Sequence, residues 1–206
     1  STGVITFASA PDFENPADAN TNNEYLITVT ATDDSGETAS TSQSLTITVQ
    51  DLSDIAPEFT SANSFSVAEG TDAVATLTGS DAEGDSVSFS TTLAGDDAAD
   101  FALTTGGALT FAATPNFESP ADADTNNVYS ITATITDGTN TSTQDITVTV
   151  TDINDESPVL SVSTPYSVAE NTTSVGTVST TDADANSTIT YTLSGTDAAK
   201  FDINSA

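Results

Sequence analysis

Apolar and polar residues alternate with a period of two through most of the chain. In EYLITVTATD, Tyr25, Ile27 and Val29 fall on one face and Thr28 and Thr30 on the other; in SLTITVQD, Leu45, Ile47 and Val49 form the apolar face. Tyr129, Ile131, Ala133 and Ile135 repeat the first pattern, and Ile146, Val148 and Val150 repeat the second. Successive strand residues point to opposite faces, and β-branched threonine suits a solvated pleat, so these segments read as half-buried strands. Threonine-rich low complexity is the alternative reading. Nothing has the pattern of a long amphipathic helix; the short stretches around Asp97 and Lys200 read as single helical turns. Between residues 53 and 156 the pattern predicts seven strands, near 64–69, 73–80, 86–93, 101–104, 107–112, 127–136 and 143–151. Seven short strands over that length form a Greek-key β-sandwich.

The same features occur twice. Asp51, Asp54 and Pro57 in DLSDIAP recur as Asp152, Asp155 and Pro158 in DINDESP; Glu69 in SVAEG recurs as Glu170 in SVAEN; Asp81 recurs as Asp182. Each of these pairs is about 100 residues apart, the size of one sandwich domain. Scattered acids at constant spacing mark a tandem array. The fold class expected is therefore all-β, with tandem seven-stranded Greek-key sandwiches. Residues 53–156 form a complete repeat, 1–52 match only its last three strands, and 157–206 match only its first four. Joined tail to head, the two partial repeats would make one more.

Composition narrows the function. The chain has 31 acidic residues and one base, Lys200, for a formal charge of −30. Salt bridges cannot balance that charge, so salt screening or bound cations must. Nucleic acid is excluded as a partner, because phosphate binding needs Lys and Arg, and an anionic membrane surface would need a bridging ion. There is no Cys and no His, which removes disulfides, thiolate metal sites, zinc sites and His-based catalysis. No stretch is long and apolar enough to insert in a membrane. No signal peptide is visible, so a mature or excised piece is expected. The repeated carboxylates lie near segment ends, which points to metal at the joints between repeats.

At these residues the chain resembles the cadherin repeats of long bacterial extracellular adhesins. A Glu follows an apolar run in VAEG and VAEN, and an Asp-x-acid follows the second strand at 81–83 and 182–184. Asp12 and Glu14 of DFE precede the sixth strand, Asp33 and Asp137 close it, and DINDESP matches the D-x-N-D-x-x-P linker. The resemblance implies calcium between consecutive repeats, held by both neighbours and the linker. Calcium takes six to eight oxygen ligands, more than one strand end supplies. Carried over, the first joint would use Asp12, Glu14, Asp51, Asp54, Asp81, Glu83 and Asp137. The second would use Glu69, Glu118, Asp152, Asn154, Asp155, Asp182 and Asp184. Glu170 and Asp33 are the matching ligands of the partial repeats, and a neighbouring chain would bring them to the joints that lack them. Asn116 stands where the motif has Asp, and Ser53 stands at the linker Asn. Ile55 and Glu156 depart from the linker's second Asn, a position that can act through backbone oxygen. The alternative for all these acids is that they are solvated guards on strand edges.

Two further patterns stay open. Asp18, Asn20 and Asn22, with Asp122, Asp124 and Asn126, alternate like the start of a calcium loop but lack its Gly and terminal Glu; they form either a peripheral calcium site or a polar loop. The sequons at Asn140, Asn171 and Asn186 are what a Thr-rich composition produces by chance. The function expected is a calcium-rigidified extracellular or cell-surface rod for adhesion or matrix assembly. Its partners would be neighbouring repeats or identical chains head to tail, with a cell-surface or glycan target. The partial repeats read either as complementary halves of a filament subunit or as the edges of a window on a longer chain. A carbohydrate- or ice-binding sandwich is the alternative function. An enzyme is not expected, because no His, Cys or suitably placed Lys activates a nucleophile.

Overall fold

A computed structural model describes residues 2–33 and 40–204. The chain divides into two compact units, Ser1–Asp54 and Ile55–Ala206. The described residues form short strands and two single-turn 3-10 helices, so the protein is all-β.

The first unit is built on one antiparallel hairpin, β1 (Glu24–Thr32) and β2 (Ser40–Thr48), in which Tyr25 faces Ile47 and Ile27 faces Leu45. Phe7 stacks edge-on against Tyr25 at 5.1 Å. The alternation expected from the sequence is present, but one side of the apolar face is open. Ile5, Phe7, Tyr25, Ile27, Leu45 and Ile47 line a trough of about 510 Å³.

The second unit contains the complete repeat. Its strands are β3 (Glu58–Phe59), β4 (Ser64–Ala68), β5 (Ala73–Thr76), β6 (Gly79–Ser80), β7 (Ser88–Phe89), β8 (Phe101–Leu103), β9 (Ala108–Phe111), β10 (Val128–Thr136) and β11 (Thr141–Thr151). One sheet has the order β4-β11-β10-β7; the other side carries β5-β9-β8 and the short β3-β6 pair. Tyr129, Ile131, Ala133 and Ile135 of β10 and Ile146, Val148 and Val150 of β11 are all buried, each pointing inward at every second residue. They pack with Val67, Leu77, Phe89, Phe101, Leu109 and Phe111 into one core. The rings of Phe101, Phe111 and Tyr129 meet at its centre with centroids 4.5, 5.2 and 5.5 Å apart. Burial of these aromatic and branched side chains is the main stabilising term, about 1.5–3 kcal/mol each.

Three details differ from the pattern reading, each for a long-range reason. The strand expected at 73–80 is two pieces: β5 pairs with β9, while β6 pairs with β3, a strand too short to show periodicity. Gly107 sits beside the break. Its φ of 89° and the Leu77 carbonyl against its Cα leave no room for a side chain, and its own carbonyl accepts the Leu77 N–H at 2.7 Å. The strand expected at 86–93 is ladder-paired only at β7. β4 runs parallel to β11, with Phe65 opposite Val148 and Val67 opposite Val150, a pairing that period-two patterning does not specify.

After the linker, only β12 (Val159–Ser161) and β13 (Ser179–Thr181) form strands; they pair antiparallel. Residues 162–178 and 187–194, which hold the counterparts of β4, β5 and β7, form no strand. In the complete repeat the corresponding β4 and β5 are held by β11 and β9. An alternating segment without a ladder partner gains neither the hydrogen bonds nor the packing that fix a strand. GVITFA at residues 3–8 fails to form a strand for the mirrored reason: its counterpart β9 is held by β5 and β8.

Candidate metal centre

Three stretches of the second unit converge on the linker Asp152–Asp155: the end of β4, Phe117–Glu118 and the loop at 182–186. β4 ends at Glu69, which is 3% exposed. One of its oxygens accepts the Phe117 N–H at 2.7 Å and the other accepts the Ile153 N–H at 2.8 Å. Burial pushes its carboxyl up, but these two amides and the Glu118 carboxyl outweigh burial and hold it below its ordinary value. The carboxylate therefore clasps the segment before β10 to the linker, and it does so charged.

Glu118 is the unusual member. Both its carboxylate oxygens are buried, and no donor group among the described residues reaches either. Burial foremost pushes its carboxyl up, and against the opposing pull of its own backbone N–H the neighbouring Glu69 and Asp184 carboxylates push it the same way. Asp152 has one buried oxygen without a donor; its other oxygen accepts the Ala185 N–H at 2.9 Å and the Asn186 side-chain amide at 3.4 Å. Asp184 is 4% exposed and accepts the amides of Asp155 and Glu156 at 3.1–3.4 Å. Asp182 accepts the Asp184 N–H at 3.0 Å and so sets the turn that aims Asp184.

Carboxylate oxygens of Glu69, Glu118 and Asp152 lie within 4.8 Å of one another, and so do those of Glu118, Asp155 and Asp184. Glu118 belongs to both groups. Calcium–oxygen distances are 2.3–2.6 Å, so two ligands of one ion can be up to about 5 Å apart, and both groups fit that span. The donors are hard oxygens only, which suits calcium over the softer transition metals. Buried carboxylates need a counter-charge, and Lys200 is the chain's single base.

The other expected ligands are distributed unevenly. Asn154 and Glu170 are exposed and take no part in these two groups. In the first unit, carboxylate oxygens of Glu14 and Asp51 lie within 4.8 Å of each other. Asp12 caps its own turn by accepting the Asn15 N–H at 3.0 Å. Asn116 does the same for Ser119 at 2.7 Å, which explains why Asn serves where the motif has Asp. Asp33 and Asp54 are exposed. In the second unit Asp81 accepts the Glu83 N–H at 2.8 Å, and Glu83 accepts the Ile55 N–H at 2.9 Å. That clasp repeats the one between Asp184 and Glu156, so the two departing linker positions act through their N–H groups. Asp137 caps the β10–β11 hairpin through the Asn140 and Thr139 amides, both at 2.6 Å, which outweigh its burial and hold its carboxyl below the ordinary value.

Two residues with structural weight escaped the sequence reading. Asp85 lies with Asp81 and Glu83 in a third carboxylate group; the i, i+2, i+4 spacing of acids was the available signal. Asp97 is buried and clips two segments together, accepting the Ala123 N–H at 2.7 Å and the Ser130 N–H at 2.6 Å; nothing local in the sequence marks it.

The loop at 122–127 is tied to its own backbone. Asp122 turns both oxygens inward onto the amides of Asn126 and Asn127, at 2.7 and 3.2 Å, and Asn126 caps Val128. Asp18 repeats this with Asn22 and Asn23 at 3.0 and 3.1 Å. The leading Asp of each loop thus caps its own turn.

Solved structures share this architecture. Human protocadherin-24 EC1-2 matches with a TM-score of 0.53 and 22% identity over 64% of this chain and 62% of that one. Mouse cadherin-23 EC22-24 matches with a TM-score of 0.59 and 21% identity over 84% and 57%. The fold is that of cadherin extracellular repeats. Drosophila N-cadherin EC1-4 is 26% identical, with a TM-score of 0.52 over 79% of this chain and 42% of that one. The chain spans less than two thirds of each of these structures. No protein-family model and no curated protein matches it. The acid groups around 152–155 thus sit at the end of a cadherin-like sandwich, where the chain passes into the next segment.

Proposed function

We propose that this chain is a calcium-rigidified segment of an extracellular or cell-surface rod, serving adhesion or matrix assembly. Glu118 carries the reading: a carboxylate with two buried oxygens, no donor for either, and a place in two carboxylate groups. Calcium would supply the missing positive charge and the coordination that ties Glu69 and Glu118 of the sandwich to Asp152 and Asp155 of the linker and Asp184 beyond it. Without it the acids repel one another and the passage between segments is free to bend. By the repeat offset, Asp51, Asp54, Asp81 and Glu83 are the counterparts of Asp152, Asp155, Asp182 and Asp184. We extend the proposal to them, with Asp12, Glu14 and Asp137. Extracellular modules bind calcium with dissociation constants of about 10⁻⁴–10⁻³ M, which suits a compartment rich in that ion. Identical chains following head to tail are the partners this reading favours.

Small-angle scattering with calcium and with chelator tests it. The expected result is a smaller maximum dimension spread and a stiffer profile with calcium, and a broadened ensemble after chelation. Superimposable profiles would contradict the proposal.

A further inference from the structure

The polar loops ahead of β1 and β10 begin and end on residues that bear on the metal centre. Each runs from an acid to an asparagine: Glu14 to Asn23 in ENPADANTNN, and Glu118 to Asn127 in ESPADADTNN. Asn127 is buried, and its side-chain amide donates to the Phe117 carbonyl at 2.9 Å. That carbonyl belongs to the peptide joining Phe117 to Glu118. The N–H of Phe117 is already held by Glu69 at 2.7 Å, so the residue before Glu118 is gripped at both of its backbone polar groups.

Asn127 is itself fixed from two directions. Its N–H donates to the Asp122 carboxylate at 3.2 Å, and its carbonyl accepts the Val150 N–H of β11 at 2.9 Å. The loop is therefore an arch with one foot bolted to the sheet and the other carrying Glu118. The first unit repeats every contact. Asn23 is buried and donates to the Phe13 carbonyl at 2.9 Å; its N–H reaches Asp18 at 3.1 Å and its carbonyl accepts the Val49 N–H at 3.0 Å. There the far foot carries Glu14, which shares a carboxylate group with Asp51.

The arch is held against backbone preference. Asn23 and Asn127 have φ of 63° and 64°, and Thr21 and Thr125 have φ of 55° and 56°. Asparagine tolerates the left-handed region, but a β-branched threonine there is an outlier. Such conformations persist where the surroundings over-determine them, and they cluster at functional sites. Two loops of one chain accept the same strain to make the same contact.

We propose that Asn127 and Asn23 are positioning residues that aim Glu118 and Glu14 at the linkers. This rests on the calcium reading of those two glutamates and assigns the loops a part in it: they orient a ligand without being one. Partners that orient metal ligands typically change affinity about 10- to 100-fold when removed.

The test uses the 206-residue chain and two variants, Asn127→Gly and Asn23→Gly. Glycine keeps the left-handed backbone and removes only the side-chain amide; circular dichroism checks that the fold is retained. Calcium titration is followed by NMR at the amides of Ile153 and Glu156 for one linker, and of Asp51 and Leu52 for the other. In Asn127→Gly the calcium midpoint at Ile153 and Glu156 should rise about 10- to 100-fold, with Asp51 and Leu52 unchanged. Asn23→Gly should give the reverse. In chelator, amide exchange at Phe117 should quicken in Asn127→Gly alone, a readout that needs no metal. If Asn127→Gly unfolds the sandwich, Asn23→Gly decides alone, because its loop lies in the first unit. A parent that responds to calcium with both variants keeping its midpoints overturns this proposal and leaves the calcium reading intact. Equal weakening at both linkers by a single variant also overturns it, since that is general loosening. A parent whose amides do not respond to calcium overturns both.

Discussion

Replacing Glu118 by Gln removes the calcium response at the 152–155 linker while leaving the metal-free protein at least as stable as the parent. In the absence of a cation, Glu118 is a buried acid with carboxylates on two sides and no donor. A carboxyl pushed up in the folded state favours folding below its ordinary value, and that contribution is lost as pH rises through the raised value. At neutral pH the charge is therefore a burden that Gln lacks, and the burden disappears in acid. With calcium the sign reverses, because a ligand shared by both carboxylate groups is gone. A site filled at ten to a hundred times its dissociation constant stabilises by about 1.4–2.7 kcal/mol. Thermal unfolding of parent and variant, with calcium and with chelator, at neutral and acid pH, reads both effects. A variant that keeps the parent's calcium shift would contradict the assignment of Glu118.

Glu69→Ala has the opposite metal-free signature. Glu69 is also buried and acidic, but its oxygens are taken by the Phe117 and Ile153 amides. Removing it takes the acceptor from the Phe117 and Ile153 N–H groups, and hydrogen bonds to charged acceptors contribute about 1.5–3 kcal/mol each. The expected loss is about 2–4 kcal/mol without calcium, together with a weakened calcium response. A carboxyl held below its ordinary value contributes stability above that value, which is lost as pH falls through the folded value. The deficit of Glu69→Ala relative to the parent should therefore narrow in acid, where that of Glu118→Gln gives no such pattern. Denaturant unfolding in chelator measures the difference. Equal metal-free stabilities of the two variants would show that the two glutamates do not divide the work in this way.

The sequence pattern was most informative where a segment carries its own partner. β10 and β11 are long, adjacent and joined by a four-residue turn, so their alternation specified both strand and buried face, down to Tyr129, Ile131, Ala133 and Ile135. Where the partner is distant the pattern shows the face and not the strand: Tyr166, Val168 and Val175 alternate as well as Phe65, Val67 and Val74, yet only the latter group has β11 and β9 beside it. The same limit applies to the acids. Spacing singled out Glu69, Glu118, Asp152 and Asp184, which the fold brings together. It could not separate a carboxylate satisfied by amides, as at Asp122 and Asp137, from one left without a donor, as at Glu118, because the donors arrive from other parts of the chain. Asp97 is the extreme case: its partners, Ala123 and Ser130, offer only backbone N–H groups, which leave no trace in residue identity.

The central claim is that the linker acids hold a cation between successive segments. Crystals grown with calcium and measured for anomalous scattering test it most directly. The account predicts anomalous peaks in contact with Glu118, one shared with Glu69 and Asp152 and one shared with Asp155 and Asp184. A well-ordered linker in calcium with only water among these side chains would contradict it.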